Sequence, residues 1–326
     1  MDFDRLRIRF RQFGGIRLIR EYARLGVLWI GIKAFFRCLV KRQSFKAIYP
    51  EIMTVVEPFL EIRYYRILQE SKKHYEKSSY EKRRNKIIWF CWLQGMEQAP
   101  AIVKACYHSY KKNLTEWDIK VIDNRNWKDL VNLPEYIVKK WETGRIPAAN
   151  FSDLLRLELL IRYGGTWVDA TVLCTGFDTL ETQKELKYLD TDLFLFQYTP
   201  EGTTEGISIS NWFITACTNN ESLMVLRDML FAYWKDYDCT LDYYIFHLFF
   251  EIIAREYPEQ ISSMPYGNSM RSLTLGKHWR EPFCQEKWDR LVSHVPFHKI
   301  SYRLSEKNKK DKSNYYHWIL ELYSQE

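Results

Sequence analysis

The sequence has no pair of cysteines at the C-x-x-C spacing, although seven cysteines are scattered over its 326 residues. A disulfide framework uses an even set of spaced cysteines, and a structural zinc site uses close pairs. Neither pattern is present. We therefore predict that the cysteines are small buried apolar side chains in a protein of a reducing compartment.

Long apolar runs are also missing. The most apolar stretch, Leu25 to Val40, is interrupted by Lys33 and Arg37 and is shorter than the roughly 20 residues that a membrane span needs. No small-residue cleavage site follows it, so the stretch does not read as a secretory signal. The 46% apolar and 27% charged residues are instead typical of a globular protein.

Positive charge is concentrated at one end of the chain. Residues 1–85 hold 20 Lys and Arg against 9 Asp and Glu, a balance of +11, so the remainder carries −4 of the total +7. Apolar side chains recur here at mostly helical spacing: Phe3, Leu6, Phe10, Phe13, Ile16, Ile19, Tyr22, Leu25, Leu28 and Trp29. This pattern predicts a basic amphipathic helix suited to an anionic membrane face, or alternatively a helix docked on the domain. No nucleic-acid recognition motif accompanies the charge, so we expect no nucleic-acid partner.

The following segments suggest two domains. A second helix is predicted from Glu51 to Tyr75, and the charged run 71–86 reads as a link. We expect a helical, basic N-terminal extension over 1–83 and the main domain over 84–326.

The main domain begins with an α/β pattern. The apolar run Ile87 to Leu93 predicts a central parallel strand, followed by a helix from Ala101 to Lys112 and a strand from Trp117 to Asp123. This βαβ unit implies a ligand crevice at the carboxyl ends of the strands. The loop after the first strand has no glycine-rich phosphate motif, which argues against a dehydrogenase or a P-loop enzyme.

Residues 150–175 read NFSDLLRLELLIRYGGTWVDATVLCT. Ser152 or Asp153 is expected to cap a buried helix, with Asp153 and Arg156 on one face as an internal ion pair or as a polar pair facing the crevice. Gly164-Gly165 should end the helix with a left-handed residue, and the next strand stops at Asp169. Asp169 is either a turn former or a ligand for a divalent cation that bridges diphosphate oxygens.

The string SDLLRLELLIRYGGTWVDATV resembles the signature of glycosyltransferase family 32 and its capsular-polysaccharide-synthesis branch. The sugar-transferring domains of large clostridial toxins are more distantly similar. The resemblance covers roughly residues 84–305, with further pieces in the expected order: IIWFCWLQG, APAIVKACYHSYKKN, SNWFITA, DYYIFH and VPFHKISYR.

This resemblance implies a GT-A fold, which is a Rossmann-like sheet with donor and acceptor in adjoining halves. It also implies a UDP-linked sugar donor, a divalent metal and retention of anomeric configuration. Trp92 takes the position of the ring that stacks on uracil, and the alternative for it is a core ring. Asp153 and Arg156 take the positions that hold the donor sugar and the ribose–diphosphate region, and with Asp169 they are the expected catalytic residues. Gln94, Ser152 and Lys299 complete the expected donor site.

The metal motif of the family departs from its usual form here. Asp169 takes the first position of DxD, but Thr171 replaces the second aspartate. A hydroxyl is a weaker ligand than a carboxylate, so His298 is a further candidate ligand and favours Mn²⁺ over Mg²⁺. A site that depends less on metal is the alternative.

Four later residues are candidates for the acceptor side. Asp242 and His247 lie in LDYYIFHLFF, which we predict to be one helix, and we expect Asn211 and Trp212 to flank the same cleft. The alternative for each is a satisfied core residue.

Taken together, we expect a retaining hexosyltransferase that moves glucose or galactose from a UDP-sugar to a lipid-linked oligosaccharide in bacterial capsule synthesis. It would be cytoplasmic and peripheral on the inner face of the membrane. The alternatives are a toxin-like transferase that modifies a protein, and a catalytically inactive nucleotide-sugar-binding scaffold.

Overall fold

The structure, a computed structural model, describes residues 3–42, 44, 47–201 and 207–324, without the side chains of residues 3–6 and 9. Phe3 and Leu6 of the predicted apolar face thus lie outside the described side chains. The strands are β1 Ile87–Cys91, β2 Asp118–Ile122, β3 Gly165–Asp169, β4 Val172–Cys174, β5 Leu193–Gln197, β6 Ile209–Ala216 and β7 Phe297–Lys299. The helices are α1 Phe3–Gln12, α2 Ile16–Arg24, α3 Leu28–Val40, α4 Ile48–Glu76, α5 Ala101–Asn113, α6 Trp127–Leu130, α7 Glu135–Glu142, α8 Ala148–Tyr163, α9 Leu180–Lys184, α10 Glu221–Asp236, α11 Ile245–Glu256, α12 Pro258–Ser263, α13 Ser269–Ser272, α14 Thr274–His278, α15 Gln285–Val292, α16 Glu306–Lys310 and α17 Tyr315–Leu322.

The chain forms two compact units, each assembled from separate segments. Unit 1 consists of Met1–Ser79, Leu133–Leu155 and Glu221–Glu256, and unit 2 consists of Tyr80–Asn132, Arg156–Asn220 and Tyr257–Glu326. The first change of unit lies close to the predicted boundary, but unit 1 also takes in two later segments. The division into 1–83 and 84–326 stays a prediction.

Unit 1 is built around the long helix α4, which extends the predicted second helix into the predicted link. Its buried face repeats every fourth residue: Ile52, Val56, Leu60, Tyr64 and Leu68. The Tyr64 ring packs 5.3 Å from that of Phe249 in α11, and its hydroxyl donates to Asp236 of α10 at 2.9 Å. The stripe therefore contributes to the core of unit 1.

The prediction of one amphipathic helix at the N-terminus is wrong in the number of helices, because this part of the chain forms three, α1, α2 and α3. Gly14 ends the first helical stretch with φ +117°, and a Cβ there would lie 2.4 Å from the Cβ of Cys239. The neighbouring Phe13 carbonyl accepts a hydrogen bond from the Thr240 amide at 2.9 Å. Glycine thus allows the bend and its close backbone approach.

Unit 2 contains a five-stranded sheet in the order β2-β1-β3-β6-β5. β1 pairs in parallel with both β2 and β3, whereas β6 runs antiparallel to β3 and β5. The predicted central parallel strand, its following helix and the second strand are all confirmed. The α/β class is confirmed too, with the Rossmann-like parallel core that a GT-A fold requires.

The segment that carries the family resemblance, residues 150–175, includes most of α8, followed by β3 and β4. α8 begins at Ala148, so Ser152 and Asp153 lie inside the helix, and the expectation that one of them caps it is wrong. Gly164 and Gly165 follow the helix with φ +65° and +92°, and the Gly164 amide bonds to the Leu160 carbonyl at 2.8 Å. The predicted left-handed end is therefore confirmed, and β3 starts immediately after it.

The cysteines carry no disulfide, and six of the seven are buried, with Cys284 exposed. This confirms the predicted small-hydrophobe role for all but Cys284. Among the described residues, none of the helices combines the length and the apolar character that a membrane crossing would require.

Candidate active site

Two candidate residues lie at one edge of the large sheet in unit 2. β1 and β3 are adjacent and parallel, and Asp169 pairs with Cys91, the residue before Trp92. Their carboxyl ends therefore place Trp92 and Asp169 at the same edge. Gln94 is exposed in the turn that follows β1, in which the Gly95 amide bonds to the Trp92 carbonyl at 2.9 Å.

The Asp169 carboxylate is held between two cationic side chains. Its Oδ2 accepts a hydrogen bond from Lys299 Nζ at 2.9 Å, and its Oδ1 lies 3.6 Å from an Arg156 guanidinium nitrogen. Trp167 Nε1 also donates to Oδ1 at 3.2 Å. The side chain of Asp169 retains 31% exposure, so the carboxylate is fixed on one side and open to solvent on the other.

Arg156 is buried and held by several contacts. Its side chain is only 5% exposed, and its guanidinium lies 4.9 Å from the centre of the Trp167 ring. A second guanidinium nitrogen donates to the backbone carbonyl of Asn211 on β6. A buried arginine is tolerated when it is paired and hydrogen-bonded in this way. Its charge thus has a set position beside Asp169.

The surrounding charges decide the ionisation of Asp169. Burial raises its pKa, but the charges of Lys299 and Arg156, with the hydrogen bonds from Lys299 and Trp167, lower it more. The pKa of Asp169 therefore lies below its ordinary value, and the group is a carboxylate at neutral pH. Asp169 thus lies as an anion between two fixed cations, Arg156 and Lys299.

The donors predicted for a metal ion do not fit one well. Lys299 Nζ donates to Thr171 Oγ1 at 2.7 Å as well as to Asp169 Oδ2, so an ammonium group occupies the space between the two ligands. Among the described residues there is no group of three His, Cys, Asp or Glu side chains able to hold a metal ion. The Mn²⁺ site stays a prediction that these donors do not favour.

His298 is not brought to Asp169 and Thr171. It precedes Lys299 on β7, and successive side chains of a strand point to opposite faces. Its Nε2 lies 3.3 Å from Thr175 Oγ1, and the residue is fully buried. Burial lowers the pKa of His298 to about 4, so the ring is neutral at pH 7.

The acceptor candidates fall in different units. Asn211 and Trp212 belong to unit 2, where Trp212 is buried and stacks on Phe196 at 4.6 Å. Asp242 and His247 belong to unit 1. Trp212 is thus a core ring, and the acceptor roles of all four residues stay predictions.

Asp242 also departs from its predicted helical position. α11 begins at Ile245, so Asp242 precedes the helix, and its Oδ1 accepts hydrogen bonds from the Tyr244 amide at 2.8 Å and from the Tyr49 hydroxyl. Burial raises the pKa of Asp242, although these two hydrogen bonds lower it. His247, in the first turn of α11, is half-buried with its ring 5.4 Å from that of Tyr244.

On the donor side, Ser152 and Asp153 lie in the part of α8 that belongs to unit 1, whereas Arg156 belongs to unit 2. Asp153 is buried and Ser152 is half-buried. Their roles in donor binding stay predictions.

Sequence reasoning missed two features at the sheet edge. The Tyr302 ring meets that of Trp92 edge-on at 5.4 Å. At the end of β2, buried Asp123 accepts hydrogen bonds from the Arg125 guanidinium at 2.6 and 2.9 Å. A carboxylate directly after a parallel strand was a signal for Asp123, but nothing local connected Tyr302 with Trp92.

Comparison with known proteins adds a family to this geometry. The family described as "Capsular polysaccharide synthesis protein" matches residues 37–319, and no curated protein matches the chain. One similar solved structure, titled "PaToxG Glycosyltransferase", shares 15% identity over 82% of this chain and 98% of its own, with a TM-score of 0.37. That similarity is too low to carry an argument. The family match confirms the capsular part of the predicted resemblance, and membership of glycosyltransferase family 32 stays a prediction. Because the match spans most of its length, the chain belongs to the family of capsular polysaccharide synthesis proteins.

Proposed function

We propose that the protein is a retaining glycosyltransferase that moves a hexose, glucose or galactose, from a UDP-sugar to a lipid-linked oligosaccharide. The observation that carries this proposal is the pair of fixed cations, Arg156 and Lys299, beside Asp169 at the carboxyl end of the parallel strand β3. Ligands of α/β sheets bind at this edge, and a nucleotide diphosphate is an anion that such cations attract.

The chemistry requires a stabilised leaving group. As the bond between the anomeric carbon and the diphosphate oxygen breaks, negative charge develops on the diphosphate. Arg156 is held by the Asn211 carbonyl and by Trp167, and Lys299 by Asp169 and Thr171. Cations fixed before the reaction stabilise this charge without reorganising.

We include retention of the anomeric configuration because the resemblance to glycosyltransferase family 32 implies it. The acceptor hydroxyl would attack from the side of the leaving group. A new bond forms between the acceptor oxygen and the anomeric carbon, and the departing phosphate takes the hydroxyl proton. No carboxylate nucleophile is assigned.

Trp92 would stack on the base of the donor. Its ring is half-buried and supported edge-on by Tyr302. Stacking of a base on an aromatic ring contributes about 1–3 kcal/mol, so Trp92→Ala should weaken UDP binding by about tenfold or more, as measured by isothermal titration calorimetry. Trp92→Phe should keep most of the affinity, and an unchanged dissociation constant in the alanine variant would contradict the stacking role.

The direct test of the function is incubation with a panel of nucleotide sugars, with and without Mn²⁺, while UDP release is measured. UDP-glucose or UDP-galactose should be the substrate, and a lipid-linked glycan should accelerate release more than protein acceptors do. Faster transfer to a protein would support the toxin-like alternative. If the protein neither hydrolyses nor transfers the sugar of any donor, that result would support an inactive scaffold.

We further propose that α3 holds the enzyme at an anionic membrane surface. Trp29, Phe36 and Val40 are 69%, 60% and 83% exposed on α3, and their spacing of seven and four residues places them on one face. Lys33 is exposed between them. Exposed apolar side chains beside basic ones match the chemistry of an anionic bilayer interface.

A paired substitution tests this attachment. Trp29→Ala with Phe36→Ala should weaken binding to vesicles that contain anionic lipid by about tenfold or more, because two large apolar side chains no longer enter the interface. Co-sedimentation measures the binding. Ile62→Ala is the matched control, since Ile62 is 78% exposed on α4 of the same unit. Equal binding of the two variants would count against the proposed face.

A further inference from the structure

Lys299 stands where a divalent cation would be expected. The oxygens of Asp169 and Thr171 both accept hydrogen bonds from Lys299 Nζ, at 2.9 and 2.7 Å. These are the two side chains that a metal ion would need to bridge. To bind both of them, a metal ion would have to displace the ammonium group.

The position of Lys299 is set by the backbone. β4 and β7 form a two-stranded antiparallel sheet in which Lys299 pairs with Val172, the residue after Thr171. The Ile300 amide also bonds to the Thr171 carbonyl at 2.9 Å. Backbone pairing at Lys299 and at Ile300 therefore holds Lys299 beside residues 171–172, close to its two oxygen partners.

The hydrogen-bonding capacity of the ammonium group points to a further ligand. A lysine ammonium has three N–H donors, and the described residues accept two of them. The Lys299 side chain is 21% exposed, so the third donor has access to solvent. A diphosphate oxygen is an acceptor for it, and the bond would be charge-assisted.

Charge balance argues in the same direction. Two carboxylates and a divalent ion would together be neutral. Here the Thr171 hydroxyl stands in place of the second carboxylate, and the Lys299 ammonium group supplies a positive charge beside it. An added divalent ion would meet that ammonium group at the oxygens of Asp169 and Thr171.

We propose that Lys299 takes the place of the divalent cation and binds the donor diphosphate directly, so that diphosphate binding by this protein does not depend on metal. This inference rests on the proposed function, because it concerns the same donor site. Asp169 and Thr171 would then be positioning residues for Lys299.

Binding of UDP to the wild-type protein tests the inference without relying on any variant. Isothermal titration calorimetry in excess EDTA and in millimolar Mn²⁺ should give dissociation constants within about threefold of each other, because the fixed ammonium group supplies the positive charge in both. Binding that appears only with Mn²⁺ would overturn the inference and leave the proposed transferase standing. Absence of binding in both, for UDP and also for GDP, would overturn the proposed function together with the inference.

Substitutions give a second readout. Lys299→Met should weaken UDP binding by about tenfold or more and leave uridine binding unchanged, whereas Lys299→Arg should retain affinity for UDP because the charge is kept. Adding Thr171→Asp to Lys299→Met creates a second carboxylate and removes the ammonium group, so UDP binding should become dependent on Mn²⁺. Equal UDP affinity of wild type and Lys299→Met, in variants with the same melting temperature, would overturn the inference.

Discussion

Replacing Asp169 by alanine is expected to abolish sugar transfer, with a loss in kcat of about 10³-fold or more, because both cations beside it lose their shared counter-charge. The carboxylate accepts a hydrogen bond from Lys299 and lies 3.6 Å from Arg156. A misplaced cation no longer meets the charge that develops on the leaving diphosphate. The rate of UDP release from the preferred donor measures the effect.

Two further variants separate the role of Asp169 in the reaction from its role in stability. Asp169→Asn keeps the shape of the side chain and removes the charge, so it should lose activity while retaining the fold. Asp190→Ala is the matched control, since Asp190 is exposed in unit 2 and pairs with Arg84 at 3.6 Å, an interaction of little energetic consequence. If Asp169→Ala transfers sugar at the wild-type rate, the assignment of Asp169 to the active site is wrong.

Replacing Glu185 by glutamine is expected to raise the free energy of unfolding at pH 8 by about 3 kcal/mol. Glu185 is buried, with 8% exposure, and its Oε2 has no hydrogen-bond partner among the described residues. Burial raises its pKa from 4.5 to about 7, although the charges of Arg271 and Lys187 lower it. The folded state therefore prefers the protonated acid.

The sign of the pH dependence follows from that preference. Below pH 4.5 the acid is protonated in both states, so its effect on stability is absent. As the pH rises toward 7, the unfolded chain releases the proton and the folded chain keeps it, so wild-type stability declines; above the folded pKa the loss is complete. Glutamine is neutral throughout and escapes this loss.

Chemical denaturation at pH 5 and at pH 8 measures the difference. The gain from Glu185→Gln should be small at pH 5 and large at pH 8. Glu181→Gln is the control from the same segment, because Glu181 is exposed and its pKa is lowered by Lys184. An equal gain for Glu185→Gln at both pH values would mean that charge burial is not the cause.

The family signature and the sheet edge were accessible to sequence reasoning, whereas the surroundings of the site were not. The continuous apolar run before Trp92 predicted the central strand correctly, and Asp169 at the end of a buried strand marked the edge. The position of Lys299 between Asp169 and Thr171 could not be predicted from the sequence. It depends on the pairing of β4 with β7, and Asp169 and Lys299 are 130 residues apart in the chain. The weak hydroxyl ligand at Thr171 had suggested His298 as a further metal ligand, but His298 precedes Lys299 on β7, and strand alternation turns its side chain to the other face.

The sequence by itself determined the local elements of this protein: the β1–α5–β2 unit, the end of α8 at Gly164, and the basic, amphipathic character of the N-terminus. These follow from side-chain periodicity and backbone preference within a few residues. Only the tertiary structure decided that α4 packs with α10 and α11, that Trp212 is a core ring, and that an ammonium group lies between Asp169 and Thr171. Contacts between distant segments depend on the packing of the whole unit, and no short stretch of sequence encodes them.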